Sequence, residues 1–149
     1  RRVLFRSLFA ASDVSAEERQ RAEAILGAVG ITAWVNEETL IDAVTALSGS
    51  GPAYVFYFIE AIEQAGKQLG LTAAVARALA IQTFVGASQL AAASDESPAR
   101  LRERVTSKGG TTEAALNVFA EQAIAAQIAQ GLQAANARGA ALGKLLDKD

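Results

Sequence analysis

Past Asn36 no stretch of the sequence shows the two-residue alternation of a strand, and apolar residues recur at helical spacing almost throughout. That confines most of the chain to a helical architecture. The stretch from about Ala73 to Ala93 tightens the constraint. It holds Ala76, Leu79, Ala80, Phe84, Val85, Ala87 and Leu90, with Arg77 as its single charge. A helix that is apolar nearly all the way round is buried on more than one side. A domain of this size has few places to hide it, so a partner subunit is expected to cover it.

Local signals place the other elements. Ser15-Ala16-Glu17-Glu18 reads as a capping box opening a helix that runs to about Ala28 and ends at Gly30. Ile31-Thr32-Ala33-Trp34-Val35 reads as a short strand, rich in β-branched and aromatic residues. A helix followed by a lone strand makes no sheet, and looks like the trailing edge of an α/β domain. A short helix is expected over Glu38 to Leu47, broken by a Ser48-Gly49-Ser50-Gly51 loop. Pro52 suits the first turn of the next helix. Val55, Phe58, Ile59, Ile62 and Leu69 fall on one face of that helix, which ends at Gly70. Thr72 caps the next helix, and Ser97-Pro98 opens a short one to about Arg104. Two more follow, Thr111 to about Ala120 and about Glu121 to Leu146, the last with Ile124, Ile128, Leu132 and Ala135 on one stripe. Residues 1–12 have no clear period and are not assigned; the alternatives are the stub of a strand or sequence unrelated to the rest of the chain. The chain does not begin with methionine, and a fragment or a processed product is expected.

Composition excludes several chemistries. With no cysteine there is no disulfide and no thiol nucleophile. With no histidine, the commonest general base and metal ligand is missing, so no metal site is expected and Ser–His and Cys–His catalysis are ruled out. Net charge is −2 with no basic stripe, which argues against nucleic acid as a partner. No charge-free run approaches the roughly twenty apolar residues of a membrane-spanning helix, so no membrane is expected either.

The run Val105-Thr106-Ser107-Lys108-Gly109-Gly110-Thr111-Thr112 carries the most chemistry. Two glycines allow a sharp bend and close approach of a ligand to the backbone. The threonines stand where helical periodicity resumes, and the first amides of a helix have no internal acceptors. Such a corner can cradle a carboxylate or phosphate without a cluster of cations. It can equally be an ordinary turn in which Ser107 and Thr111 cap the helix. Elsewhere the bland reading is favoured: Glu37-Glu38 and Asp95-Glu96 as solvated charges, Trp34 and Tyr54 as packing residues.

Ser48-Gly49-Ser50-Gly51-Pro52-Ala53-Tyr54 and Val105 to Thr112, in that order and spacing, resemble the C-terminal half of the pyrroline-5-carboxylate reductase family. The likeness runs from about Val14 to the last helix. It implies a mainly all-α chain, a helical dimerisation domain preceded by a truncated α/β remnant of Rossmann type. The division expected is an unassigned leader at 1–12, the remnant of a dinucleotide-binding domain at 13–37, and a helical dimerisation and substrate-binding domain at 38–149. The family's reaction is NAD(P)H-dependent reduction of 1-pyrroline-5-carboxylate to L-proline, in the cytoplasm.

By that resemblance Ser107, Gly109, Gly110, Thr111 and Thr112 bind the substrate, with Thr112 as the catalytic residue whose hydroxyl meets the ring nitrogen. Ser48, Gly49, Ser50, Gly51 and Pro52 line the active site near the nicotinamide. The cofactor, NADPH or NADH, belongs mainly to a domain absent from this chain, since no G-x-G-x-x-G follows a strand. The chain alone is therefore expected to be inactive. The resemblance further implies a homodimer or a higher oligomer of dimers. Lys108 stands where many relatives have proline, which bears on the geometry of the turn. Two alternatives are a helical domain of a hydroxyacid or phosphogluconate dehydrogenase, which lacks its expected lysine here, and a non-catalytic helical oligomerisation module.

Overall fold

The computed structural model describes residues 4–146; residues 1–3 of the unassigned leader and 147–149 of the expected helical domain lie outside the described residues. The elements run β1 (Leu4–Leu8), α1 (Ala16–Gly27), β2 (Gly30–Trp34), α2 (Leu40–Val44), a π-helical turn (Thr45–Gly49) and α3 (Gly51–Gln68). Then come α4 (Ala73–Ala92), α5 (Pro98–Arg104), α6 (Thr111–Glu121) and α7 (Ile124–Leu146). The chain is mainly helical with a small parallel α/β portion at its front. It divides into two compact units, Arg1–Pro52 with Ala129–Asp149, and Ala53–Ile128. Within the first unit α2 packs against β1, and α7 runs so close to α2 that a Cβ on Gly139 would stand 2.8 Å from Asp42 Oδ1.

The start of α1 follows from its sequence. Ser15 Oγ accepts the Glu18 N–H at 3.3 Å, and Glu18 Oε2 accepts the Ser15 N–H at 2.9 Å. The Ser15 hydroxyl also donates to Glu18 Oε2 at 2.7 Å, and this bond, with the one from the Ser15 N–H, holds the Glu18 carboxyl below its ordinary pKa. β2 begins at Gly30 and is not alone. β1 pairs with it in parallel, Leu4 opposite Gly30 through Leu8 opposite Trp34, and the Val35 N–H donates to the Leu8 carbonyl at 2.8 Å. The lone-strand expectation is thus corrected, for five mixed residues carry too little period to announce a strand. The Arg19 guanidinium lies 5.9 Å from the centre of the Trp34 ring, a cation–π contact between α1 and β2.

A second correction concerns Ser48 to Tyr54. The expected loop shrinks to Ser50: α2 widens into the π turn, closed by the Ser50 N–H on the Thr45 carbonyl at 2.9 Å, and α3 starts at Gly51 with Pro52 in its first turn. Serine and glycine disfavour a helix interior. One extra residue in the turn absorbs the misfit without ending the helix.

In the second unit α3 ends in a Schellman arrangement. The Gly70 N–H reaches the Lys67 carbonyl at 3.0 Å and the Leu71 N–H the Gly66 carbonyl at 3.1 Å. Thr72 then caps α4 through the Val75 N–H at 3.4 Å. α3 and α4 come close beside the turn that joins them, where a Cβ on Gly66 would meet Ala76 Cβ at 3.2 Å. The described residues bury only small apolar side chains, Ala46, Ala76 and Ala80, and no large side chain is fully covered. Phe58 and Ile59 of the expected packing face are half-buried, whereas Val55, Ile62 and Leu69 of the same face are exposed. On α4 Val75, Leu79 and Leu90 flank the buried alanines on one side and Ile81 and Val85 on the other, all exposed. Apolar surface of this extent marks an interaction face.

The expected junction of the last two helices shifts from Ala120–Glu121 to Gln122–Ala123. Ala123 has φ 51, a left-handed conformation that costs a residue with a Cβ about 1–2 kcal/mol. Glycine avoids that strain but loses about 0.5–1 kcal/mol in chain entropy. Ala123→Gly is therefore expected to raise unfolding stability by about 0.5–1 kcal/mol, read as a higher urea midpoint at unchanged m-value.

Candidate functional site: an anion cradle at the start of α6

α5 begins at Ser97, whose hydroxyl accepts the Arg100 N–H at 3.3 Å, with Pro98 in the first turn. It ends where the Thr106 hydroxyl donates to the Arg102 carbonyl at 2.6 Å and the Thr106 N–H to the Glu103 carbonyl at 3.0 Å. The chain then reverses. The Gly110 N–H bonds to the Ser107 carbonyl at 3.0 Å, closing a four-residue turn with Lys108 second and Gly109 third. Gly109 has φ 73, as the third residue of a type II turn requires. A Cβ on Gly110 would lie 3.0 Å from the Ser107 carbonyl oxygen, so a side chain there would press on the turn.

Lys108 does not prevent this turn from closing. Its N–H meets no acceptor among the described residues, and the second position of such a turn suits proline. Lys108→Pro is thus expected to stabilise the protein by about 0.4–1 kcal/mol through the unfolded chain, detectable in the same urea titration.

α6 begins immediately after, with Gly110 as N-cap and no side-chain cap. Neither Ser107 nor Thr111 caps the helix, which removes the plainest alternative for their presence. The Thr111, Thr112 and Glu113 N–H groups have no acceptor among the described residues. The Thr112 hydroxyl, on a half-buried side chain, makes no hydrogen bond among the described residues either. The helix dipole adds a positive potential at this end. Three free donors, an unengaged hydroxyl and that potential together suit a small carboxylate.

Not every expected donor is open. The Gly109 N–H donates to Glu113 Oε2 at 2.7 Å and the Gly110 N–H is spent on the turn, so these glycines shape the corner and do not offer amides to a ligand. Glu113 escaped the sequence reading. Its signal was there, a glutamate in the third position of a helix, where it can reach back over the N-terminus. Nearby charge is partly neutralised: Arg104 pairs with Glu96 at 2.7 Å and Arg100 with Glu103 at 2.8 Å, both exposed. Arg102 and Lys108 form no ion pair among the described residues.

Ser48, Gly49, Ser50, Gly51 and Pro52 lie in the other unit, on the π turn and the start of α3. Ser48 and Gly49 line an open cavity of about 250 Å³ with Ile41, Val44 and Thr45, whose remaining wall is Arg6 and Ser7 of β1. Tyr54 is half-buried. Among the described residues no acidic cluster is arranged to hold a metal ion, and no helix is long and apolar enough to cross a membrane.

A short parallel α/β segment followed by a run of helices with uncovered apolar faces is the build of a helical association domain. The family model for pyrroline-5-carboxylate reductase dimerisation matches residues 38–142. The chain belongs to the pyrroline-5-carboxylate reductase family. It is 48% identical over 139 residues to a pyrroline-5-carboxylate reductase of Pseudomonas aeruginosa, covering 93% of this chain and 51% of that protein. The Haemophilus influenzae enzyme is 45% identical over 132 residues, covering 88% and 49% respectively.

Among solved structures, a pyrroline-5-carboxylate reductase from Coxiella burnetii superposes with a TM-score of 0.86 at 42% identity, over 91% of this chain and 50% of that one. The Plasmodium falciparum pyrroline carboxylate reductase, solved with NADP bound, gives 0.81 at 28% identity, over 92% and 53%. The chain spans about half the length of the curated relatives it matches.

Proposed function

We propose that this chain supplies the substrate site and the dimer interface of an enzyme that reduces 1-pyrroline-5-carboxylate to L-proline with NADPH or NADH. The observation that carries the reading is the start of α6, where the Thr111, Thr112 and Glu113 amides and the Thr112 hydroxyl are open beside a closed glycine turn. The substrate's carboxylate sits on the amides. Its ring nitrogen then meets the Thr112 hydroxyl, and Ser107 lines the edge of the cradle.

The chemistry asks little acid–base work of the protein. A protonated cyclic imine accepts a hydride at carbon, and the electron pair of the C=N bond settles on nitrogen, which already holds its proton. The bound nicotinamide supplies the hydride. The chain's own part is to fix the ring and keep it aligned, which suits a sequence without histidine or cysteine. In this reading the cofactor is held mainly by a dinucleotide domain that these 149 residues do not include, and Ser48 to Pro52 line the nicotinamide end. Residues 13–37 are the end of that domain and 38–149 the helical part. The exposed faces of α3 and α4 support a homodimer, and the enzyme works in the cytoplasm, where reduced nicotinamide cofactors are found.

The test is a fusion of residues 13–149 behind the complete dinucleotide domain of a family member. NADPH oxidation that depends on pyrroline-5-carboxylate is the expected result. A folded, dimeric fusion without turnover would overturn the reading in favour of a helical oligomerisation module.

A further inference from the structure

Glu113 stands in the third position of α6, half-buried, with its carboxylate turned back across the glycine turn. A carboxylate here is favoured by the helix dipole. It has more to do than cap, because the N–H it accepts from belongs to Gly109, outside the helix and left-handed at φ 73. The corner is therefore closed twice, by the Gly110 N–H on the Ser107 carbonyl at 3.0 Å and by the Gly109 N–H on Glu113 at 2.7 Å. The first bond defines the turn. The second ties that turn to the helix whose first amides remain open.

We propose that Glu113 is a positioning residue of the substrate site: by binding the Gly109 amide it locks the turn against α6, so that the Thr111 and Thr112 donors converge on one carboxylate. This rests on the reading of the corner as the substrate's carboxylate site. Glu113 touches no substrate atom and acts only through the backbone. Its charge also lies beside the bound anion, so it restrains affinity while its hydrogen bond supports it. Glutamine separates the two effects, since its amide oxygen still accepts from Gly109 but carries no charge.

The experiment is an amide-resolved NMR titration of the 149-residue chain with L-proline as probe, and with L-prolinamide as the control that lacks a carboxylate. In the native chain proline shifts the Thr111 and Thr112 amides, prolinamide does not, and the Gly109 amide is protected from exchange. Glu113→Ala is expected to expose the Gly109 amide and to weaken proline binding by about tenfold. Glu113→Asp, a carbon too short to reach, keeps the charge and is expected to lose the same affinity, which covers the case in which the alanine variant fails to fold. Glu113→Gln restores Gly109 protection and binds proline at least as tightly as the native chain. Carboxylate-dependent binding that is unchanged in Glu113→Ala and Glu113→Asp overturns the proposal and leaves the substrate site standing. Failure of proline to move Thr111 and Thr112 in the native chain overturns the site itself and this role with it.

Discussion

Thr112→Ala, in the chain joined to a complete dinucleotide domain, is expected to lower turnover about a hundredfold while leaving the fold intact, the size of effect that follows when a reacting group is misplaced. The structure makes this a clean experiment. Thr112 is the second residue of α6, and its hydroxyl engages nothing among the described residues. Removing it breaks no hydrogen bond. Alanine is the better helix former, so stability should hold or rise by a few tenths of a kcal/mol, about the propensity difference between the two residues. A loss of rate therefore reads the hydroxyl's contact with substrate. Thr112→Ser keeps the hydroxyl and should retain most of the activity. Steady-state NADPH oxidation with both variants checks this, and native turnover in Thr112→Ala would remove Thr112 from the chemistry.

Leu79→Asp is expected to convert a dimer into monomers. Leu79 is 54% exposed in the single chain although it sits between the buried Ala76 and Ala80 in sequence. Around the helix it lies beside those alanines, with Val75 and Leu90 on the same side and Ile81 and Val85 on the far one. A partner covering that face would bury an unpaired carboxylate, a penalty of about 3–5 kcal/mol. That weakens association by more than about a hundredfold, since each 1.4 kcal/mol is a factor of ten. Light scattering across micromolar concentrations measures the mass directly. A variant that keeps the native mass would move the interface off this face of α4.

What was legible in the sequence was local. Ser15, Thr72 and Ser97 announce helix starts because a short hydroxyl side chain can satisfy an amide two or three residues on. Each does so here, at 3.3–3.4 Å. Pro52 and Gly70 mark a start and a stop for equally local reasons. The glycine turn before α6 was visible from Gly109-Gly110 alone. The π turn was not, because whether Ser48–Gly51 ends a helix or merely widens it depends on what packs against Thr45 and Ala46. β1 was hidden for a similar reason: a strand of five mixed residues becomes one only when Gly30–Trp34 lies alongside it.

The sequence by itself determined the helical class of this chain, the places where its helices begin and the family to which its two glycine-bearing segments belong. Those properties rest on periodicity and on contacts among residues a few positions apart, which survive in any environment. Only the tertiary structure decided which donors at the α6 corner are free. The Gly109 amide looked as available as its neighbours until Glu113 was found on it. It also decided that the apolar faces of α3 and α4 stay uncovered, for burial depends on which helices meet. α3 and α4 come close beside the turn that joins them, where Gly66 faces Ala76, and farther along most of their larger side chains stay exposed.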